Sequence, residues 1–115
     1  MLMVFATVRM TFSKENMCEA MNFLRSIAER SNVQPGCLSC GIYRNGLDDN
    51  ILKFEQLWND QGNLDNYLRS EEYRQLLLVM EMAIEQPEIR FDTIAHSTGI
   101  ETIEKARKYT EGNLL

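Results

Sequence analysis

The chain opens on an unbroken apolar and β-branched run, "LMVFATVRMTF" over residues 2–12, with no glycine, proline or asparagine inside it. Such a run predicts a strand. Alternation sets Leu2, Val4, Ala6, Val8 and Met10 on one face and Met3, Phe5, Thr7, Arg9 and Thr11 on the other. Both faces are apolar toward the start, so packing is expected on each side. The period then changes. Met17, Ala20, Met21, Leu24, Ile27 and Ala28 recur at three- and four-residue spacing, the stripe of an amphipathic helix. Ser13 stands where an N-cap would, Glu15 falls in the first turn, and "NVQPG" stops the helix.

Two more strands, "CLSCGIYR" and "ILKFEQLW", flank the polar connection "NGLDDN" and read as a hairpin. Asp60 caps a short helix, "QGNLDNYLR". Ser70 caps a second, which sets Tyr73, Leu76, Leu77, Met80 and Ile84 on one face and ends before Pro87. "EIRFDTIAH" is a fourth strand, and "IETIEKARKYT" a charged terminal helix with little to bury. The order is βαββαβ plus an extra C-terminal helix. It fits an α+β fold of the ferredoxin-like split βαβ kind, an antiparallel sheet with helices on one face. The other face carries enough apolar residues to expect a second copy over it, hence a homodimer. The chain divides into a ferredoxin-fold domain, residues 1–97, and a helical extension, residues 98–115.

Composition narrows the function. At 115 residues the chain is one domain with room for a real core. A net charge of -5 argues against binding a nucleic-acid backbone. "MLMVFA" is too short to span a membrane and lacks the flanks of a signal peptide, so no membrane partner and a cytoplasmic location are expected. Three cysteines imply reduced thiols rather than a disulfide framework. Cys37 and Cys40 form a C-x-x-C, but on a regular strand they point to opposite sides, with Cα atoms roughly 10 Å apart. A zinc site would need two more ligands, and the single histidine, His96, has no cysteine beside it. No metal site is expected, and Cys18, Cys37 and Cys40 are read as core or interface fillers.

"PGCLSCGIYR", "ILKFEQLWND" and "NLDNYLRSEEYRQLL" together resemble the antibiotic biosynthesis monooxygenase family, with a Pro-Gly turn, a strand ending in Tyr-Arg, a strand ending in Trp-x-Asp and a leucine-bearing helix. The resemblance covers about residues 1 to 95 and is most specific from Gln34 to Leu77. It implies a dimeric α+β barrel that oxygenates a flat aromatic or quinol-like molecule with no metal, flavin or nicotinamide. An electron-rich phenolate reacts with oxygen once a proton is removed and water is kept away. The chain departs from the family at several positions. Gln56 stands where many members have Glu, and Tyr67 and Glu72 where many have His. Val8, Tyr67 and Leu77 occupy the positions of the haem-degrading branch's Asn, aromatic residue and iron-ligating His, and a leucine cannot ligate iron.

Two side chains stand as catalytic candidates. Tyr67 offers a phenol on a pocket-facing helix, to donate a hydrogen bond or shuttle a proton, unless it is a satisfied core tyrosine. His96 is the one imidazole, a side chain suited to passing a proton, unless it is a solvated strand end. Trp58, Phe54, Tyr73 and Leu77 are candidate pocket walls, with core filling as the alternative. Arg9 either binds an anionic oxygen or pairs with a carboxylate in the sheet. The leading expectation is a cofactor-independent monooxygenase acting on a small aromatic substrate. The rival is a non-catalytic dimeric module that binds or senses a small molecule. An isomerase needs a base in the pocket and ranks third.

Overall fold

The computed structural model describes residues 1–108. Four strands, β1 (Met3–Thr11), β2 (Cys37–Arg44), β3 (Ile51–Trp58) and β4 (Glu88–Ile94), form one antiparallel sheet in the order β2-β3-β1-β4. That is the ferredoxin-like arrangement. The helices α1 (Met17–Asn32), α2 (Gln61–Leu68) and α3 (Glu71–Met80) cover one face, and α4 (Ile100–Arg107) follows β4 with no buried residue. Among the described residues no helix is long and apolar enough to cross a membrane.

The covered face follows from strand alternation. Val4, Ala6, Val8 and Met10 are buried on β1, and Leu52, Phe54, Gln56 and Trp58 on β3. Beneath the helices the core forms two clusters. The larger gathers Val8, Met10, Phe12, Leu24, Ile27, Phe54, Leu76, Val79 and others between α1, α3 and the sheet. The smaller holds Val4, Ala6, Trp58, Leu64 and Tyr67 beneath α2. Tyr73 packs against both.

Local chemistry sets the joints. Asp60 accepts from the Asn63 N–H at 2.8 Å and Ser70 from the Tyr73 N–H at 3.3 Å, so both expected caps are in place. Gly36 is required twice over: its φ is +85°, and a Cβ there would lie 2.5 Å from Asn63 and 2.6 Å from Asn59. The outer face of the sheet is apolar at one end, with Met3, Phe5, Leu57 and Ile94, and charged at the other, with Arg9, Lys53, Glu88 and Arg90.

Four local expectations need correction. A register shift between Cys37 and Ser39 makes Leu38 the extra residue of a β-bulge. Cys37 then lies opposite Trp58 and Cys40 opposite Gln56, so both thiols face the helices rather than opposite sides. Ser13 opens a turn, and the helix cap falls at Asn16 with no side-chain bond. Cys18 is exposed, so it does not fill this chain's core. Ile84 is off the α3 stripe. The helix ends at Met80, two three-residue turns follow, and the Ile84 N–H docks on the Thr11 carbonyl, leaving its side chain exposed. The expected terminal helix is present as α4 through Arg107, and its last two residues, Tyr109 and Thr110, lie outside the described residues.

Candidate active site beneath the second helix

Ser31 and Gln56 are the buried polar residues among those described, and both converge on one phenol. Tyr67, at 2% exposure, has its hydroxyl 2.8 Å from Ser31 Oγ and accepts from Gln56 Nε2 at 3.1 Å. The same amide nitrogen donates to Cys40 Sγ at 3.5 Å. Four elements therefore meet here: the last turn of α1, the last turn of α2, and the centres of β2 and β3. The Tyr67 ring lies 4.7 Å from Trp58, tilted by 32°, and 5.6 Å from Tyr73, edge to face. Trp58 is 0% exposed, and its indole Nε1 is a buried donor with no hydrogen-bond partner among the described residues.

Burial dominates the electrostatics. It pushes the Tyr67 phenol up to about 12, against the opposing hydrogen bonds from Ser31 and Gln56. It pushes the Cys40 thiol up to about 11 and raises Cys37 and Tyr73 as well. Tyr67 thus stays a neutral hydroxyl through the physiological range. It can donate or relay a proton but cannot act as a phenolate base there.

The cluster borders an open edge. Across the sheet, Cys40, Gln56, Ala6 and Phe91 form one row, and Cys37, Trp58, Val4 and Thr93 the next. Ala6 and Val4 face the helices, so Phe91 and Thr93 do too. The helices pack chiefly on β1, β2 and β3, however. Phe91 is left 44% exposed and Ile89 48% exposed on the helix side of β4. A groove between α1 and α3 is lined on the α3 side by Gln75, Leu78 and Val79, with Met82 just past the helix end. Tyr73 and Leu77 lie on its other flank, one turn apart, and Leu77 is 45% exposed.

Trp58, Tyr67 and Tyr73 are thus brought together. Phe54 is buried in the larger cluster beside Val8, one row away. Leu77 lies outside the buried stripe of α3 that the spacing assigned it to, because Leu76, Val79 and Met80 take that side. Arg9 lies on the opposite face of the sheet, 3.7 Å from Glu88. His96 is exposed, two residues past β4, at the sheet end where Trp58 closes β3. Glu72 is bound to Arg30 at 2.6 Å and ties α3 to α1. Ser31 and Gln56 are missing from the sequence-based candidates, yet each carries a signal. Ser31 continues the apolar stripe of Leu24 and Ile27, and Gln56 falls in phase with Phe54 and Trp58. A polar residue in an apolar phase marks a buried hydrogen bond.

Comparison with known proteins agrees with this architecture. Residues 3–77 match the family model "Antibiotic biosynthesis monooxygenase". A conserved protein from Methanosarcina mazei Go1 is similar at 27% identity and TM-score 0.75, over 80% of this chain and 92% of that one. A structure described as an antibiotic biosynthesis monooxygenase aligns at 16% identity and TM-score 0.72, over 81% and 99%. A Deinococcus radiodurans protein aligns at 14% identity and TM-score 0.77, over 84% and 97%. Among curated proteins none matches the sequence. With nearly two thirds of the chain matched by the family model and the family's fold in place, the chain belongs to the antibiotic biosynthesis monooxygenase family.

Proposed function

We propose that this protein is a cofactor-independent monooxygenase acting on a small, flat, electron-rich aromatic such as a hydroquinone or anthrone. The observation that carries the reading is the buried indole N–H of Trp58, without a partner among the described residues, beside the Ser31–Tyr67–Gln56 hydrogen bonds. A buried unpaired donor costs about 1–3 kcal/mol, a cost that an incoming anionic oxygen removes. The substrate enters on the β4 side of α3, lies against Leu77, Tyr73 and Phe91, and turns its oxygen toward Trp58 and Tyr67. Tyr67 holds that oxygen as a hydrogen-bond donor, and His96 at the mouth passes the substrate proton to water. For an anthrone the electrons balance within the pair of reactants. The methylene carbon gains one oxygen atom as a carbonyl, and the other oxygen leaves as water with both hydrogens.

The protein acts as a dimer, through the apolar end of the outer sheet face around Phe5 and Leu57, with residues 98–115 as an appended segment. A monomeric mass by light scattering at micromolar concentration contradicts the dimer. Oxygen uptake with hydroquinones and anthrones tests the activity. Turnover above spontaneous oxidation, reduced at least tenfold in Tyr67→Phe, is expected; wild-type protein at background with every compound overturns it.

A second reading, a binding or sensing module on the same fold, draws on the acid–base inventory. Gln56 is an amide, Glu72 is bound to Arg30, and Tyr67 is held neutral. Saturable binding of the same aromatics with no oxygen consumed favours that module.

A further inference from the structure

Away from the Tyr67 cluster, three cations that form no ion pair among the described residues border one surface trough. The flank of α1 that faces the hairpin borders two neighbouring cavities of about 440 and 520 Å³, which share Met21, Arg25 and Arg44. Lys14 stands at the end of the first cavity, with Met17, Cys18, Asn22 and Asn50 around it. The carboxylates in reach are Asp49 in the first cavity and Glu29 in the second. Neither forms an ion pair with Lys14, Arg25 or Arg44 among the described residues.

Lys53, Arg69, Lys105 and Lys108 likewise hold no carboxylate among the described residues, so what marks the trough is that three such cations border it together. Arg9, Arg30, Arg74 and Arg90 each hold a carboxylate, as expected of a protein with net charge -5. The placement follows from the fold. Arg25 is one helical turn beyond Met21 on the flank of α1 away from α3. Arg44 ends β2 opposite Leu52, whose side chain is buried beneath the helices, so Arg44 leans to the helix side. Two guanidinium forks and an ammonium stand over a floor of thioethers from Met17 and Met21. Guanidinium pairs with an oxyanion through two parallel hydrogen bonds, and methionine adapts to an apolar body of varied shape.

We propose that this trough binds a small organic anion, its carboxylate or phosphate head on Arg25 and Arg44 and its apolar part on Met17 and Met21. The site is separate from the aromatic site at β4 and does not rest on the monooxygenase reading. One wall leads inward, since Cys40 lines the second cavity and its sulfur accepts from Gln56, which also bonds Tyr67.

The test is methyl NMR of the full chain labelled at methionine, titrated with hexanoate, hexyl phosphate, hexanol and inorganic phosphate. Both amphipathic anions should shift Met17 and Met21 to saturation, while Met3 on the outer sheet face and Met82 in the α1–α3 groove stay still. Hexanol and inorganic phosphate should each bind at least tenfold more weakly. The double variant Arg25→Gln/Arg44→Gln should lose at least tenfold in hexanoate affinity at unchanged Tm, both side chains being exposed. Lys14→Gln should lose less. Hexanol equal to hexanoate, shifts confined to Met82, or no saturation by either amphipathic anion overturns the proposal.

Discussion

Two cores lie under one helical layer, and they differ in kind. The larger, between α1, α3 and the sheet, is apolar throughout and roofed by two helices. The smaller, beneath α2, is bordered by both buried polar residues, contains an indole N–H without a partner among the described residues, and abuts a strand whose helix-facing side chains are exposed. Burial of a polar group costs free energy unless its hydrogen bonds are met. A core built only for stability would look like the larger one. The smaller core departs from that rule beside the uncovered strand β4, and the contrast separates residues that hold the fold from those that the proposed function offers to a ligand.

Substitutions at matched positions sharpen the contrast. Leu24→Ala in the larger core should cost about 2–5 kcal/mol in denaturant unfolding with little specific loss of activity per folded molecule. Phe91→Ala should do the reverse: under about 1 kcal/mol in stability, since its ring is half exposed, but at least tenfold in oxygen uptake or ligand affinity. Equal stability losses at the two sites would erase the distinction. Tyr67→Phe should cost about 1–3 kcal/mol, because it strips a partner from Ser31 and Gln56 inside the protein.

The same phenol gives a pH signature. Its pKa is near 10 in the unfolded chain and about 12 in the fold, so the folded state binds the proton more tightly. Its contribution is fully present below pH 10 and is lost as pH rises toward 12, by at most about 3 kcal/mol. Unfolding titrations of wild type and Tyr67→Phe over that window should differ in slope. The smallest effect belongs to the Arg30–Glu72 pair that joins α1 to α3. Glu72→Gln should change stability by less than about 1 kcal/mol, since Arg30 is half exposed.

Much of this layout is legible in the chain. Strand alternation in "LMVFATVRMTF" and "ILKFEQLW" identifies the covered face, and Asp60 and Ser70 mark the starts of α2 and α3 where they occur. Trp58 and Tyr67 stand out as a pair. The remainder depends on tertiary geometry that a periodic pattern does not carry. One extra residue at Leu38 reverses the expected facing of the two cysteines. The early end of α3 throws Ile84 off its stripe and leaves Leu77 on a flank. That β4 lacks a helical cover depends on where α3 lies against α1, and no local signal in "EIRFDTIAH" distinguishes a covered strand from an open one.

The most direct test of the central claim is a crystal structure of the protein soaked with an oxidised analogue of the proposed substrate, such as an anthraquinone. The account predicts the ring system against Phe91, Tyr73 and Leu77, with a carbonyl oxygen within hydrogen-bond distance of Trp58 Nε1 or Tyr67 Oη. A ring seated between α1 and α3, or a saturated crystal with the β4 side of α3 empty, would contradict it.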